Sequence, residues 1–333
     1  MGVLAANPGL SRAILGTARA AVISHRLDAF CRSRLGSALG AVISCEVSVG
    51  AAFGARLEDG RRVLLKAHAP ATPPEFLQSV HAVQAHLSDS GFPCPRPVLP
   101  PTPLGPGYAT VEDFVEDGAY ADAHDPEVRR LSARTLARLV RVAGEVPHEA
   151  VAGLARGWGL PPRGELWPAP HNALFDFRST AAGSGWIDAL AVRARRVLDR
   201  PGEGPVPGHA DWCSKHLRLG GGGVSVVYDW DSLRLDTEPA IAGGAAATFP
   251  ANRHLDAPNT PTPEEAWLFI GEYEAARGRP FSGRQREVAA AAATYALAYL
   301  ARCEHAADPA RSGPNEYRRA LCEHAAAFFG AGA

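Results

Sequence analysis

The chain has 333 residues, 46% of them hydrophobic and 21% charged, with 34 Lys+Arg against 35 Asp+Glu for a formal net charge of -1. A chain this long usually divides into two domains rather than growing one core. The charge balance excludes the basic footprint that a nucleic-acid backbone demands, and the composition excludes disorder for most of the chain.

No run reaches the eighteen or so uncharged apolar residues of a membrane span. The longest candidate, Val288 to Ala301, is alanine-rich and suits a packed helix. No basic stretch precedes an apolar core at the N-terminus, and Arg12 and Arg19 interrupt the first apolar residues, so no secretory leader is expected. The six cysteines form no C-x-x-C pair, which predicts reduced, mostly buried thiols in a cytoplasmic protein. Only two of the basic residues are lysines, Lys66 and Lys215. A chain so committed to arginine keeps lysine where a compact ammonium matters.

In chain order, Gly9 to Arg34 reads as a helix, with Leu10, Ile14, Ala18, Val22 and Leu27 near helical spacing. Three strands are expected at Val42–Val49, Ala51–Leu57 and Arg62–His68, the last two joined by a tight Asp59-Gly60 turn with φ > 0 at both positions. Glu75 to Leu87 is helical, the proline-rich Pro93 to Pro106 predicts an extended connector, and Tyr108 to Val115 a fourth strand. Asp125-Pro126-Glu127 caps a helix through about Ala143. An irregular stretch from Trp158 to Gly185 precedes a helix at Trp186–Leu198. His209 to Asp231 reads as a loop, a hairpin pivoting on Gly220–Gly223 and a strand at Val224–Tyr228, and three helices close the chain: Thr262 to Gly278, Arg284 to Ala306 and Glu316 to Phe329. The expected fold is α+β and bilobal: a small antiparallel-sheet lobe with a leading helix at 1–117 and a larger, mainly helical lobe at 118–333.

The strongest chemical signal is His209-Ala210-Asp211, with His216 five residues after that aspartate and Asp229-Trp230-Asp231 beginning eighteen after it. A hairpin between two carboxylates sets both at one end of a rigid element. The pattern resembles the catalytic loop H-x-D-x-x-x-x-N and metal aspartate of kinases, and most of all the aminoglycoside phosphotransferase family, with its protein-kinase-like fold. The resemblance implies that Asp211 orients the acceptor hydroxyl and takes its proton, that Asp229 ligates Mg2+, and that His209 braces the loop. It also implies that Lys66, at the end of Val63-Leu64-Leu65-Lys66, meets the α/β-phosphates. Gly50-Ala51-Ala52-Phe53-Gly54 would form the phosphate-covering loop, with Gly50, Phe53 and Gly54 as its candidate residues, and the Glu112–Phe114 segment would offer backbone groups to adenine.

Two residues depart from the family pattern. His216 stands where the loop asparagine belongs, so either it keeps a metal-facing role, or Asp231 supplies the missing oxygen, or one metal suffices. The helix after Lys66 carries Gln78, His81 and Gln84 but no glutamate in its body, so Lys66 is expected to pair with a hydrogen-bond acceptor. His171, Asp231 and Glu238 are candidates for acceptor binding, Asp231, Asp236 and Glu238 together forming an acidic group after the metal motif. The resemblance implies an enzyme that uses ATP or GTP with Mg2+ to phosphorylate a hydroxyl of a small molecule, an antibiotic or related natural product. The alternatives are a metabolic small-alcohol kinase and a kinase-like binding protein that has lost transfer. No nucleic-acid or membrane partner is expected, and the chain is read as a monomer or homodimer.

Overall fold

A computed structural model describes residues 8–47, 50–156, 165–170, 175–200, 202–309 and 316–330. The chain forms two compact units, Met1–Glu116 with Val146–Leu154 and Asp117–Glu145 with Ala155–Ala333. It is an α+β fold with an antiparallel sheet in the first unit and a mainly helical second unit.

The leading segment is two helices rather than one, α1 (Pro8–Leu15) and α2 (Ala20–Phe30), because Gly16 takes a left-handed φ of 69° between them. A π-turn at Cys31–Leu35 prolongs α2 and stops at Gly36, again left-handed. Three strands come next, β1 (Leu39–Val47), β2 (Ala51–Leu57) and β3 (Arg62–His68), and residues 48 and 49, expected to end the first strand, lie outside the described residues. The β2–β3 turn is longer than the two-residue form expected: Leu57 N–H donates to Arg61 O at 2.8 Å, and of the turn residues only Gly60 has positive φ, 89°. After α3 (Pro74–Asp89) come β4 (Pro97–Leu104) and β5 (Gly107–Asp113), giving the order β1-β2-β3-β5-β4. The proline-rich run is therefore a strand and not a connector. Proline removes a ladder donor but is tolerated on an edge, where β4 lies with β5 as its one neighbour among the described residues.

Alternation along the strands separates two faces. Phe53, Ala55, Leu57, Val63, Leu65, Ala67, Ala109 and Val111 join Ile14, Leu15, Ile23, Leu27 and Phe30 in one core cluster. Lys66 and Glu112 alternate out of that set, to the other face.

The chain next enters the second unit through α4 (Pro126–Ala143), whose cap Asp125 accepts from Glu127 N–H and Val128 N–H. It returns to the first unit for α5 (His148–Val151), which packs on α3. There Gly153 N–H donates to Ser79 Oγ at 3.1 Å, and a Cβ on Gly153 would overlap the carbonyl of Glu75. The remainder is α6 (Gly185–Leu198), β6 (Val206–His209), β7 (Leu217–Gly220), β8 (Gly223–Val227), β9 (Leu233–Asp236), α7 (Glu238–Thr248), α8 (Pro263–Arg277), α9 (Gly283–Ala307) and α10 (Glu316–Gly330). β6 pairs with β9 and β7 with β8, both antiparallel. Capping boxes start α8 at Thr262/Glu265 and α9 at Ser282/Gln285. α9 packs against α6, α7 and α10. Its alanines let α7 come so close that a Cβ on Gly243 would overlap the carbonyl of Ala289.

Candidate active site

In the first unit the chemistry gathers on the face of the sheet away from the core cluster. Lys66 pairs in register with Thr110 across β3 and β5, and Leu64 with Glu112, so Lys66 and Glu112 are diagonal neighbours on one face. Lys66 Nζ lies 3.4 Å from Glu112 Oε1, with only 15% and 7% of the two side chains exposed. Gln84 of α3 donates to Glu112 Oε2 at 2.8 Å and to the carbonyl of Pro95 at 2.9 Å, which fixes the carboxylate. The partner of Lys66 is thus a carboxylate after all, reached from a strand, while the helix supplies the amide that holds it. Glu112 was expected to offer only its backbone, and the structure gives its side chain this pairing.

The segment expected to cover the phosphates, Gly50–Gly54, lies within strand β2 from Ala51 onward rather than in a loop. A Cβ on Gly50 would come within 2.9 Å of Ala67 O, and one on Gly54 within 2.7 Å of the Phe114 ring, so both positions require glycine for close approach. Phe114 also stacks under the Arg62 guanidinium, 4.8 Å from the ring centre. Phe53 is 1% exposed within the core cluster, so its side chain packs the sheet and cannot face a ligand.

In the second unit the catalytic-loop sequence is pinned on all sides. Ala210 N–H donates to Ser232 O, Trp212 Nε1 to Ser132 Oγ on α4, and Ser214 N–H to Phe249 O, each at 2.9 Å. Trp212 is 1% exposed, and its carbonyl accepts from Thr248 Oγ1 at 3.0 Å. These anchors project Asp211 outward, its side chain 42% exposed. Asp211 Oδ2 accepts from Lys215 Nζ at 2.9 Å and from His216 Nε2 at 3.0 Å. Burial alone would raise its pKa, but the His216 hydrogen bond and the Lys215 charge overcome this and hold the carboxyl far below the usual carboxylate range. Lys215 is held charged in turn: burial works against it, and the neighbouring Cys213 and Asp211 raise its pKa.

His216 Nε2 is also 3.5 Å from Asp229 Oδ2, so one imidazole spans the two carboxylates whose separation the sequence marked. Asp229 adopts a left-handed φ of 68°, alone among the described non-glycine residues, and Ser232 Oγ donates to its Oδ2 at 2.6 Å. Backbone in that region costs about 1–3 kcal/mol and persists where its surroundings impose it. His209 supplies part of that constraint. Its Nε2 is 3.1 Å from Tyr228 O, and a carbonyl can only accept, so the proton is on Nε2. Burial lowers the pKa of His209, against the pull of Asp229, and keeps the ring neutral. His209 therefore ties the catalytic loop to the residue before Asp229.

The remaining candidates are Asp231, Glu238 and His171, and Asp231 lies in the turn that follows Asp229. The carbonyl of Asp231 accepts from Arg234 Nη1 at 3.0 Å. Glu238 is clamped by Arg277, with Nε 2.7 Å from Oε1, and by Tyr273 Oη at 3.0 Å, so it is an internal brace between α7 and α8 rather than a substrate carboxylate. Burial pushes the neighbouring Asp236 carboxyl up to about 6, and it caps Thr237 N–H, so the expected acidic group does not face solvent as one surface. His171 lies outside the described residues. Sequence reasoning missed Glu112's side chain, Ser232 and Cys213, and named Gln84 without its role as donor to Glu112. It marked Lys215 only by the rarity of lysine.

The model of the phosphotransferase enzyme family (APH) matches residues 48–237, more than half of the chain, and the chain belongs to this family. It is a small-molecule phosphotransferase with a protein-kinase-like fold. No curated protein matches the sequence. Several solved structures share the fold. The amicoumacin kinase hAmiN in complex with AMP-PNP, Ca2+ and Ami is 10% identical, with 93% of this chain and 96% of that chain covered and a TM-score of 0.65. A macrolide 2'-phosphotransferase type I is 19% identical over 89% and 98% of the two chains, TM-score 0.54. The Plasmodium vivax ethanolamine kinase is 12% identical over 86% and 81%, TM-score 0.51. Among the described residues no helix is long and apolar enough to cross a membrane.

Proposed function

We propose that this phosphotransferase moves the γ-phosphoryl group of ATP or GTP to a hydroxyl of a small natural product, an antibiotic being the favoured acceptor class. The observation that carries the reading is the convergence of Asp211 and Asp229 on His216, at 3.0 and 3.5 Å. Asp211 accepts a hydrogen bond from the acceptor hydroxyl, aligns its oxygen and takes its proton as the phosphoryl group transfers. A carboxylate held so firmly ionised is a weak base, which suits a loose transition state in which positioning outweighs proton removal. His216 and Lys215 set the direction of that carboxylate. Lys66, steadied by Glu112 and Gln84, meets the nucleotide phosphates.

The donor set fits a hard divalent cation at Asp229: a carboxylate 31% exposed and oriented by Ser232, leaving further positions to phosphate and water. When bound, Mg2+ would offset charge on the phosphate oxygens. His216 is an unlike ligand for that ion, because its Nε2 is engaged with Asp211 and imidazole favours softer metals. It acts here as the brace of the base, and one carboxylate-held cation suffices. The loss-of-transfer alternative rested on two departures; Glu112 supplies a partner for Lys66, and His216 takes a defined place beside Asp211.

The relatives in fold support donor and acceptor class. One was solved with AMP-PNP and Ca2+, and others act on macrolides or were solved with ADP and spectinomycin. The test is mass spectrometry of the protein incubated with Mg2+, ATP or GTP and a panel of hydroxylated antibiotics and small alcohols. A product heavier by one phosphoryl group is expected, its rate falling about 10²–10⁴-fold in Asp211→Asn. An antibiotic product supports the reading, a simple alcohol product moves it to metabolism, and no product or nucleotide hydrolysis from any mixture overturns it.

A further inference from the structure

Cys213 takes no part in the transfer chemistry, yet its thiol lies against the base. Cys213 Sγ lies 3.5 Å from Asp211 O and 3.6 Å from its Oδ1, while His216 Nε2 meets Oδ2 of the same carboxylate at 3.0 Å. The 3-10 turn at Ser214–His216 folds the histidine back, with His216 N–H donating to Cys213 O at 3.0 Å. One ligand atom each from Asp211, Cys213 and His216 lies within 4.8 Å of the other two. Around a tetrahedral zinc ion, with bonds of about 2.0–2.3 Å, such atoms stand roughly 3.3–3.7 Å apart. Side-chain movements of about an ångström would therefore close the three onto one ion.

The chemistry of the set is selective. A carboxylate oxygen, a thiol sulfur and an imidazole nitrogen make a poor cage for Mg2+ and a good one for a borderline-soft cation. The loop asparagine of the family pattern would offer only an amide oxygen where His216 stands.

We propose that Asp211, Cys213 and His216 form a three-ligand site for zinc or a similar borderline-soft divalent cation, and that filling it switches off phosphotransfer. The ion enters from the Asp211 side, where the carboxylate is 42% exposed, since Cys213 is 1% exposed. On binding, the thiol proton leaves to solvent, His216 binds as the neutral tautomer with its proton on Nδ1 and Nε2 free for the ion, and Lys215 Nζ gives up its contact with Asp211. Water takes the fourth position. The occupied carboxylate can no longer receive an acceptor hydroxyl, so inhibition competes with the acceptor. This second half rests on the assignment of Asp211 as the base; the binding half does not.

Cobalt(II) serves as the probe, titrated into the full chain without nucleotide and followed by absorbance. Saturation at one ion per chain is expected, with a thiolate-to-cobalt charge-transfer band, the intense visible bands of a tetrahedral ion, and loss of both when zinc is added. Cys213→Ser should abolish the charge-transfer band and weaken binding about a hundredfold or more, since loss of even an outer-shell partner costs 10–100-fold. Cys213→Ala serves as a second variant, with circular dichroism verifying the fold of each. No charge-transfer band in the wild type, or a band that persists in both variants, overturns the site. Zinc is then added to Mg2+-dependent nucleotide hydrolysis. Suppression reversed by a chelator, with Cys213→Ala needing at least about tenfold more zinc, supports the switch; equal sensitivity overturns it. Absence of hydrolysis in every sample would count against the phosphotransfer reading, while the cobalt spectrum still decides the site.

Discussion

Lys66 and Glu112 show how much one side-chain pair can carry. Removing one member of a buried pair leaves the other charge uncompensated, at a cost of about 3 kcal/mol or more. Glu112→Ala should lower stability by about 3 kcal/mol in urea unfolding and raise the KM for nucleotide about tenfold, because Lys66 loses its positioning contact. Glu112→Gln keeps the shape and should lose less on both measures. Unchanged stability and KM in the alanine variant would remove Glu112 from the site. The pair was hidden in the sequence because it depends on β5 lying beside β3, with α3 and β4 intervening along the chain. Asp211, His216 and Asp229 were legible for the opposite reason: a short hairpin alone brings them together, and its glycines and spacing are written locally. What spacing could not reveal was their division of labour, since a histidine in the asparagine position reads equally as metal ligand or as brace until its hydrogen bonds are known.

At the scale of elements, two glycines in helices of the second unit face opposite fates. Gly271 of α8 is exposed with nothing near a built Cβ, so Gly271→Ala should stabilise by about 0.8–1 kcal/mol through helix propensity. At Gly243 the same gain is outweighed by overlap with backbone that cannot rotate away, and Gly243→Ala should cost a net ~2 kcal/mol in denaturant midpoint. Equal effects at the two positions would mean that α7 and α9 do not cross so closely. α7 escaped sequence reading because it is buried on every side and so carries no helical stripe. β4 escaped because its prolines argue against a ladder until it is known to lie on an edge.

His124 joins α8 to the segment before α4 through Glu265 Oε1, 2.8 Å from its Nδ1. Burial opposes the charged imidazole, but the Glu265 and Pro258 hydrogen bonds outweigh it and raise the pKa above 6.5. The stabilisation is therefore complete below about pH 6.5 and is lost as pH rises through the folded-state value. Burial raises Glu265 too, yet its backbone and His124 hydrogen bonds lower the net pKa below 4.5, so its share is present above about pH 4.5 and is lost as pH falls through its folded-state value. The Tm difference between wild type and His124→Gln should be widest between those limits and should narrow toward pH 8. A gap that is flat across this range would show that the pair is not charged.

For the whole molecule, the path of the chain matters more than the count of its elements. The first unit is discontinuous, since it recovers Val146–Leu154 after the chain has built α4 elsewhere. Val151 and Leu154 are buried, at 3% and 4% exposure, and Gly153 abuts Glu75. A fragment of residues 1–116 should melt without cooperativity by circular dichroism, whereas one with 146–154 rejoined by a flexible linker should show a sigmoidal transition. Identical melts would mean that α5 is dispensable. A boundary drawn at 117 from the order of predicted elements misses this return, because four helical residues between turns carry too little pattern to declare which unit they complete.

The proline-bearing edge has a last consequence, for the company the protein keeps with itself. A sheet border normally offers a row of free N–H groups on which a foreign strand can assemble. Along Pro97–Leu104 the prolines at 97, 100, 101 and 103 leave half of the eight residues without an N–H to offer. Such a border is a poor template for cross-strand growth. The residues that obscured this strand in the sequence are the ones that keep it from recruiting another.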